Sequence, residues 1–154
     1  MVNFITINTD ASFCPFEKVG GYAYWIKGPN LSIKNSGVFK IKLPNSQDAE
    51  IKAVANALSS ILKLKSLPTA DVLIINTDCY GSIEQIKNQS TEISILINDK
   101  IEKIKQVTGA KTLILRHVKA HVKIIDKKTY VNDWCDKEAK KHMKGARKNK
   151  YVGR

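Results

Sequence analysis

The chain has 154 residues, 43% hydrophobic and 26% charged, which is room for one hydrophobic core and too little for two separate ones. No apolar run approaches the roughly 20 residues that cross a bilayer, and the first residues show no secretory pattern. Cys14, Cys79 and Cys135 are scattered, odd in number and form no CxxC pair, which argues against a disulfide framework and a thiolate zinc site, so a cytoplasmic protein with reduced thiols is expected.

In chain order, Phe4 to Asp10 alternates Ile5 and Ile7 with Thr6 and Asn8, a period of two that predicts a strand. Gly20-Gly21 opens a second strand, Tyr22 to Lys27, and after the turn signal Gly28-Pro29-Asn30 a third is predicted from Leu31 to Leu43. From Gln47 the period becomes helical through Val54, Ala57, Leu58, Ile61 and Leu62, until Ser66-Leu67-Pro68. The unbroken apolar run Val72 to Ile75 predicts a strand covered on both faces. Two helical patterns follow, one with Ile83 and Ile86, the other with Ile93, Ile97, Ile101 and Ile104, closed by Thr108-Gly109. Thr112 to Val118 predicts a fifth strand, Lys123 to Thr129 a polar loop, and Val131 to Met143 a last helix. The order β-β-β-α-β-α-α-β-α makes this an α/β chain with one mixed five-stranded sheet and helices on its faces. The expected division is a domain over residues 1–144 and a basic tail over 145–154.

The charge points to a polyanion: 26 Lys and Arg against 14 Asp and Glu leave +12. Only Arg116, Arg147 and Arg154 are arginine, so most contacts would be lysine point charges that track a phosphate backbone rather than read bases. From Lys137 to Arg154 the chain carries seven of those net charges. Lys144, Arg147 and Lys148 are therefore candidate phosphate contacts.

The acidic residues are more specific. Ile7-Asn8-Thr9-Asp10 and Ile75-Asn76-Thr77-Asp78 are identical tetrapeptides, each ending an apolar strand on an aspartate. If the strands are neighbours, the carboxylates converge beyond the strand ends, where α/β sheets hold ligands. The plainer readings are a turn residue for Asp10 and a helix N-cap for Asp78. Glu50 lies within about 40° of Val54, Ala57 and Ile61 on the helical wheel, so it belongs to the buried stripe and calls for a partner, a basic side chain or a metal ion. Asp136 lies within about 60° of Ala139 and Met143 on the apolar side of the last helix. Asp133 reads instead as a favourable charge near that helix's N-terminus. Four carboxylates from two strands and two helices suit a pair of hard divalent ions and phosphoryl chemistry.

With these residues the sequence resembles the type 1 ribonuclease H family, from about Asn3 to Lys144. Thr9-Asp10-Ala11-Ser12 with Gly20-Gly21-Tyr22 is similar to the family's T-D-G-S and G-G-Y opening, and Ala49-Glu50 to its glutamate helix. Thr77-Asp78 resembles its second aspartate strand and Asn132 to Ala139 its N-x-x-x-D-x-x-A closing helix. Val118-Lys119-Ala120-His121 is similar to its V-K-G-H element. The resemblance implies a ribonuclease H-like sheet and hydrolysis of the RNA strand of RNA–DNA hybrids, leaving 5′-phosphate and 3′-hydroxyl ends. It implies two Mg2+ ions, with Mn2+ as the alternative, held by Asp10, Glu50, Asp78 and Asp136. His121 would be a mobile histidine beside the site, while Ser12, Ser46, Gln47, Lys119 and Asn132 would contact the hybrid. A monomer with no membrane partner is expected. The sequence departs from the family pattern at Phe16, in place of an Asn, at Cys79-Tyr80, in place of Ser-Gln, and in the long spacing from His121 to Asn132. Two other readings stay open, a DNA junction nuclease of the same superfold and a non-catalytic hybrid-binding module.

Overall fold

Among the described residues, alternation and helical period produce nine elements in the expected order: β1 (Phe4–Cys14), β2 (Val19–Gly28), β3 (Leu31–Val38), α1 (Ser46–Leu62), β4 (Val72–Thr77), α2 (Tyr80–Asn88), α3 (Glu92–Thr108), β5 (Thr112–His117) and α4 (Lys127–Val152). The structure is a computed structural model and describes residues 1–118 and 127–152. Lys119 and His121 lie outside the described residues.

The sheet has the order β3-β2-β1-β4-β5. Its first three strands form an antiparallel meander, and β4 and β5 add in parallel on the other side of β1. The register sets the two identical tetrapeptides side by side, Ile7 against Ile75 and Asn8 against Asn76. Asn76 donates an amide hydrogen to Asn8 Oδ1 at 2.8 Å, and Asn8 donates to the Trp25 carbonyl at 3.0 Å, so a buried amide chain ties β4, β1 and β2 together.

One face of the sheet carries the main core, where Ile5, Ile7, Leu73 and Ile75 meet Val54, Leu58 and Ile61 of α1 and Ile97, Ile101 and Ile104 of α3. Each such side chain, fully removed from water, is worth roughly 1.5–3 kcal/mol. The Asn45 side chain caps α1 by accepting from the Asp48 N–H, which fixes where Glu50 leaves the helix. On the opposite face α4 crosses β1, β2 and β3, with Ala23, Cys135 and Ala139 at the contact. Gly21 permits this approach, because a Cβ there would run into the Ala139 carbonyl and the His142 side chain.

Several boundaries differ from the sequence reading. β1 continues past Asp10 to Cys14 because β2 pairs with it that far, so Asp10 sits inside a strand and is neither a strand end nor a turn residue. β3 ends at Val38 rather than Leu43; Phe39 and Leu43 instead donate to the Gly20 and Lys18 carbonyls and bury their side chains against Ala49 and Ala53. α4 begins at Lys127, inside the expected loop, and runs through the expected tail to Val152. Its end is rich in Lys, Arg and Ala, strong helix formers, with no proline to stop it.

Candidate active site

Three carboxylates meet where the C-terminal half of β1, the end of β4 and the first turns of α1 converge. Asp10, Glu50 and Asp78 place one oxygen each within 4.8 Å of one another. Asp10 is 7% exposed. The Ala11 backbone N–H lies between two of them and donates to Asp10 Oδ1 at 2.9 Å and to Glu50 Oε1 at 3.1 Å. Among the described residues no hydrogen-bond donor meets the buried Glu50 Oε2. Asp78 follows β4, and its expected plainer role is excluded: the N-cap of α2 is Cys79, with no side-chain capping bond.

The electrostatics follow from this crowding. Burial, reinforced by Asp78 and Asp136, pushes the Asp10 carboxyl up to about 8. Glu50 is raised well above the usual carboxylate range by burial and then by Asp10 and Asp78. Burial also raises Asp78. Among the described residues no lysine or arginine pairs with these three carboxylates. A buried cluster of acids with no basic side chain paired to it lacks positive charge. Its donor set is all oxygen, the preference of hard divalent cations, and the orphaned Glu50 Oε2 is an acceptor in need of one. The residues present therefore fit a divalent metal ion.

The fourth expected carboxylate stands apart. Asp136 on α4 faces the site closely enough to raise Asp10 and Asp78, yet its Oδ2 accepts from Lys140 at 3.1 Å and it lies outside the cluster of three. Asp133 is not at the helix N-terminus as expected, since α4 starts six residues earlier; it forms an i,i+4 pair with Lys137 at 2.9 Å.

Around the cluster, Ser12 lies two residues beyond Asp10 on β1 and is half-buried. Ser46 and Gln47 are exposed in the first turn of α1, and Gln47 lies over Gly81 so closely that a Cβ there would collide with it. Asn132 is half-buried on α4, with Lys144 and Arg147 exposed further along it. Lys148 lies on the same helix. Two contributors escaped the sequence reading. The Ala11 N–H is a backbone group, which no motif reports. His117 Nε2 bonds the Asp78 carbonyl at 2.9 Å, with Tyr80 edge-on to its ring; the pairing of Thr77 with His117 places it there.

Comparison with known proteins agrees with this fold. The RNase H family model matches residues 3–144. Among solved structures, the chain is similar to the N-terminal RNase H domain of a Mycobacterium tuberculosis protein, solved as a fusion with maltose-binding protein. That match has a TM-score of 0.65 at 13% identity, covering 96% of this chain and 98% of that one. No curated protein sequence matches. The chain belongs to the RNase H family, and its activity is of the ribonuclease H type.

Proposed function

We propose that this RNase H family member hydrolyses the RNA strand of RNA–DNA hybrids, leaving 5′-phosphate and 3′-hydroxyl ends, with two divalent ions, Mg2+ in the first instance. The observation that carries the reading is the convergence of Asp10, Glu50 and Asp78 around the unpartnered Glu50 Oε2. These three residues would hold the metal, with Asp136 as the fourth ligand on release from Lys140. Bound there, the ions would supply the Lewis-acid charge that directs a water onto phosphorus and stabilises the leaving oxygen.

The chain's own residues prepare that site. The shared Ala11 N–H holds the Asp10 and Glu50 oxygens in fixed relation, and His117 anchors the backbone at Asp78. Ser12, Ser46, Gln47 and Asn132 would position the hybrid. Lys144, Arg147 and Lys148 would take phosphates, and Lys119 and His121 would act from the segment that joins β5 to α4.

The test is cleavage of a labelled hybrid alongside RNA duplex, DNA duplex and branched DNA, with Mg2+ and with chelator. Wild type should cut only the hybrid's RNA strand and only with metal, while Asp10→Asn loses at least roughly a thousandfold in rate and keeps hybrid binding within a few fold. Near-normal turnover by Asp10→Asn would refute the proposal, and faster cutting of branched DNA would favour the junction nuclease.

A further inference from the structure

A cavity lies on the face of the sheet that α4 occupies. Thr6, Asn8 and Asp10 share this face by strand alternation, and the register adds Lys27 opposite Thr6, Ile74 and Asn76 on β4, and Arg116 on β5. α4 crosses β1, β2 and β3. Beside it, over β1, β4 and β5, the cavity of about 380 Å³ is lined by Phe4, Ile74 and Val131, with Asn76 in its wall and Lys27 and Arg116 on opposite sides. The run Val72 to Ile75, expected to be covered on both faces, thus turns Ile74 toward a cavity.

Three features of this cavity ask for an anionic, partly apolar ligand. Among the described residues no carboxylate lines it, and neither Lys27, Lys34 nor Arg116 has an acidic partner. Asn76 is 6% exposed and, among the described residues, no donor meets its buried Oδ1, an acceptor that every nucleobase can meet with an N–H. The lysines are also held in place. Lys27 and Lys34 lie 4.6 and 4.1 Å from the centre of the Trp25 ring, Lys34 also 4.9 Å from that of Trp134, and Tyr130 and Trp134 meet Trp25 edge-on. Two ammonium groups kept against one ring repel each other, and ring contact removes much of the side-chain freedom that a lysine otherwise loses on binding. Pre-positioned, uncompensated cations of this kind fit phosphates.

Lys27 and Arg116 stand on β2 and β5, three strand spacings apart and offset by two residues along the strands, roughly 16 Å at the backbone, and both line the cavity. We propose that this cavity is a single-stranded nucleic-acid subsite that takes one nucleotide. The base enters between Phe4, Ile74 and Val131, the flanking phosphates sit on Lys27 and Arg116, and Lys34 meets the next phosphate along. The proposal goes beyond the cleavage reading, since it concerns a strand held away from the carboxylates.

The chain's two tryptophans, Trp25 and Trp134, hold Lys27 and Lys34 against their rings, so their emission reports a ligand that draws these cations. The full chain would be titrated with decathymidylate, following intrinsic fluorescence and, in parallel, polarisation of the labelled oligonucleotide. The expected result is a saturable change in emission. Joint replacement Lys27→Gln and Arg116→Gln should weaken binding severalfold and lower the salt slope by roughly 0.7 for each cation removed. Thr6→Met, which fills the cavity and leaves the charges in place, should weaken binding as well, and Asp10→Asn should bind like wild type. Binding without a change in emission, or unchanged binding by both the charge variant and Thr6→Met, would overturn the subsite. Hybrid cleavage by the same proteins separates the two readings: its absence with intact oligonucleotide binding refutes the nuclease proposal alone.

Discussion

Glu50 and Glu138 are both half-buried glutamates on helices that pack against the same sheet, and they differ in what surrounds them. Glu138 accepts from the Ser36 hydroxyl at 3.1 Å and lies 3.9 Å from His142 on the next turn of its own helix. Its neighbours on α4 follow the same rule, Asp133 with Lys137 and Asp136 with Lys140, each four residues apart. Glu50 has the Ala11 N–H on one oxygen and no partner on the other, and the groups nearest to it are two more carboxylates. A carboxylate whose partner stands one helical turn away is neutralised by local spacing. Carboxylates gathered from three distant elements without a cation have instead been kept free at a cost to stability, and that cost marks the functional region.

The comparison breaks most sharply by exchanging the two glutamates in turn. Glu50→Gln should reduce hybrid cleavage by roughly a hundredfold or more, whereas Glu138→Gln, which keeps an acceptor for Ser36, should leave the cleavage rate within twofold and cost less than about 1 kcal/mol in denaturant unfolding. Comparable losses in both would remove the distinction.

The next largest effect concerns stability. Because the Asp10 carboxyl is raised from 3.8 to about 8 in the folded chain, the folded state retains a proton that the unfolded state releases between those values. Asp10 therefore detracts increasingly from stability as pH rises through that window in the absence of metal. Asp10→Asn should unfold at a higher denaturant midpoint than wild type at pH 8, by on the order of 1–3 kcal/mol, with the difference vanishing near pH 4. Mg2+ should raise the wild-type midpoint at pH 8 and leave that of Asp10→Asn nearly unchanged. A wild type no less stable than the variant at pH 8 without metal would contradict the uncompensated cluster.

The smallest effect sharpens the place of Asp136, the one carboxylate that belongs to both regions. Lys140→Gln removes its helical partner and should lower the Mg2+ concentration for half-maximal cleavage by about two- to threefold if Asp136 then joins the other three. An unchanged metal requirement would assign Asp136 to the paired set on α4.

Much of this was legible in the sequence because it depends on periodicity and short-range pattern. Strand alternation and helical stripes gave the order of elements, and the apolar neighbours of Glu50 placed it on the buried stripe. The duplicated Ile-Asn-Thr-Asp marked two strands that pair in register. Where boundaries moved, a partner from elsewhere in the chain decided: β2 extends β1 past Asp10, and Phe39 and Leu43 leave the third strand to dock near Gly20 and Ala49. The length of α4 is the opposite case, since its last turns follow from helix-forming residues that the sequence reading assigned to a tail.

By itself, then, the sequence determined which residues carry charge, which faces of each element are apolar and in what order the elements come, since these are properties of spacing along the chain. Only the tertiary structure decided that Asp10, Glu50 and Asp78 share one buried space and that Gly21 lets α4 close over β2. It also decided that Lys27 and Arg116 flank a cavity with no acid among its described lining residues. The reason is that charge compensation and burial depend on distances between elements far apart in sequence, and packing sets those distances.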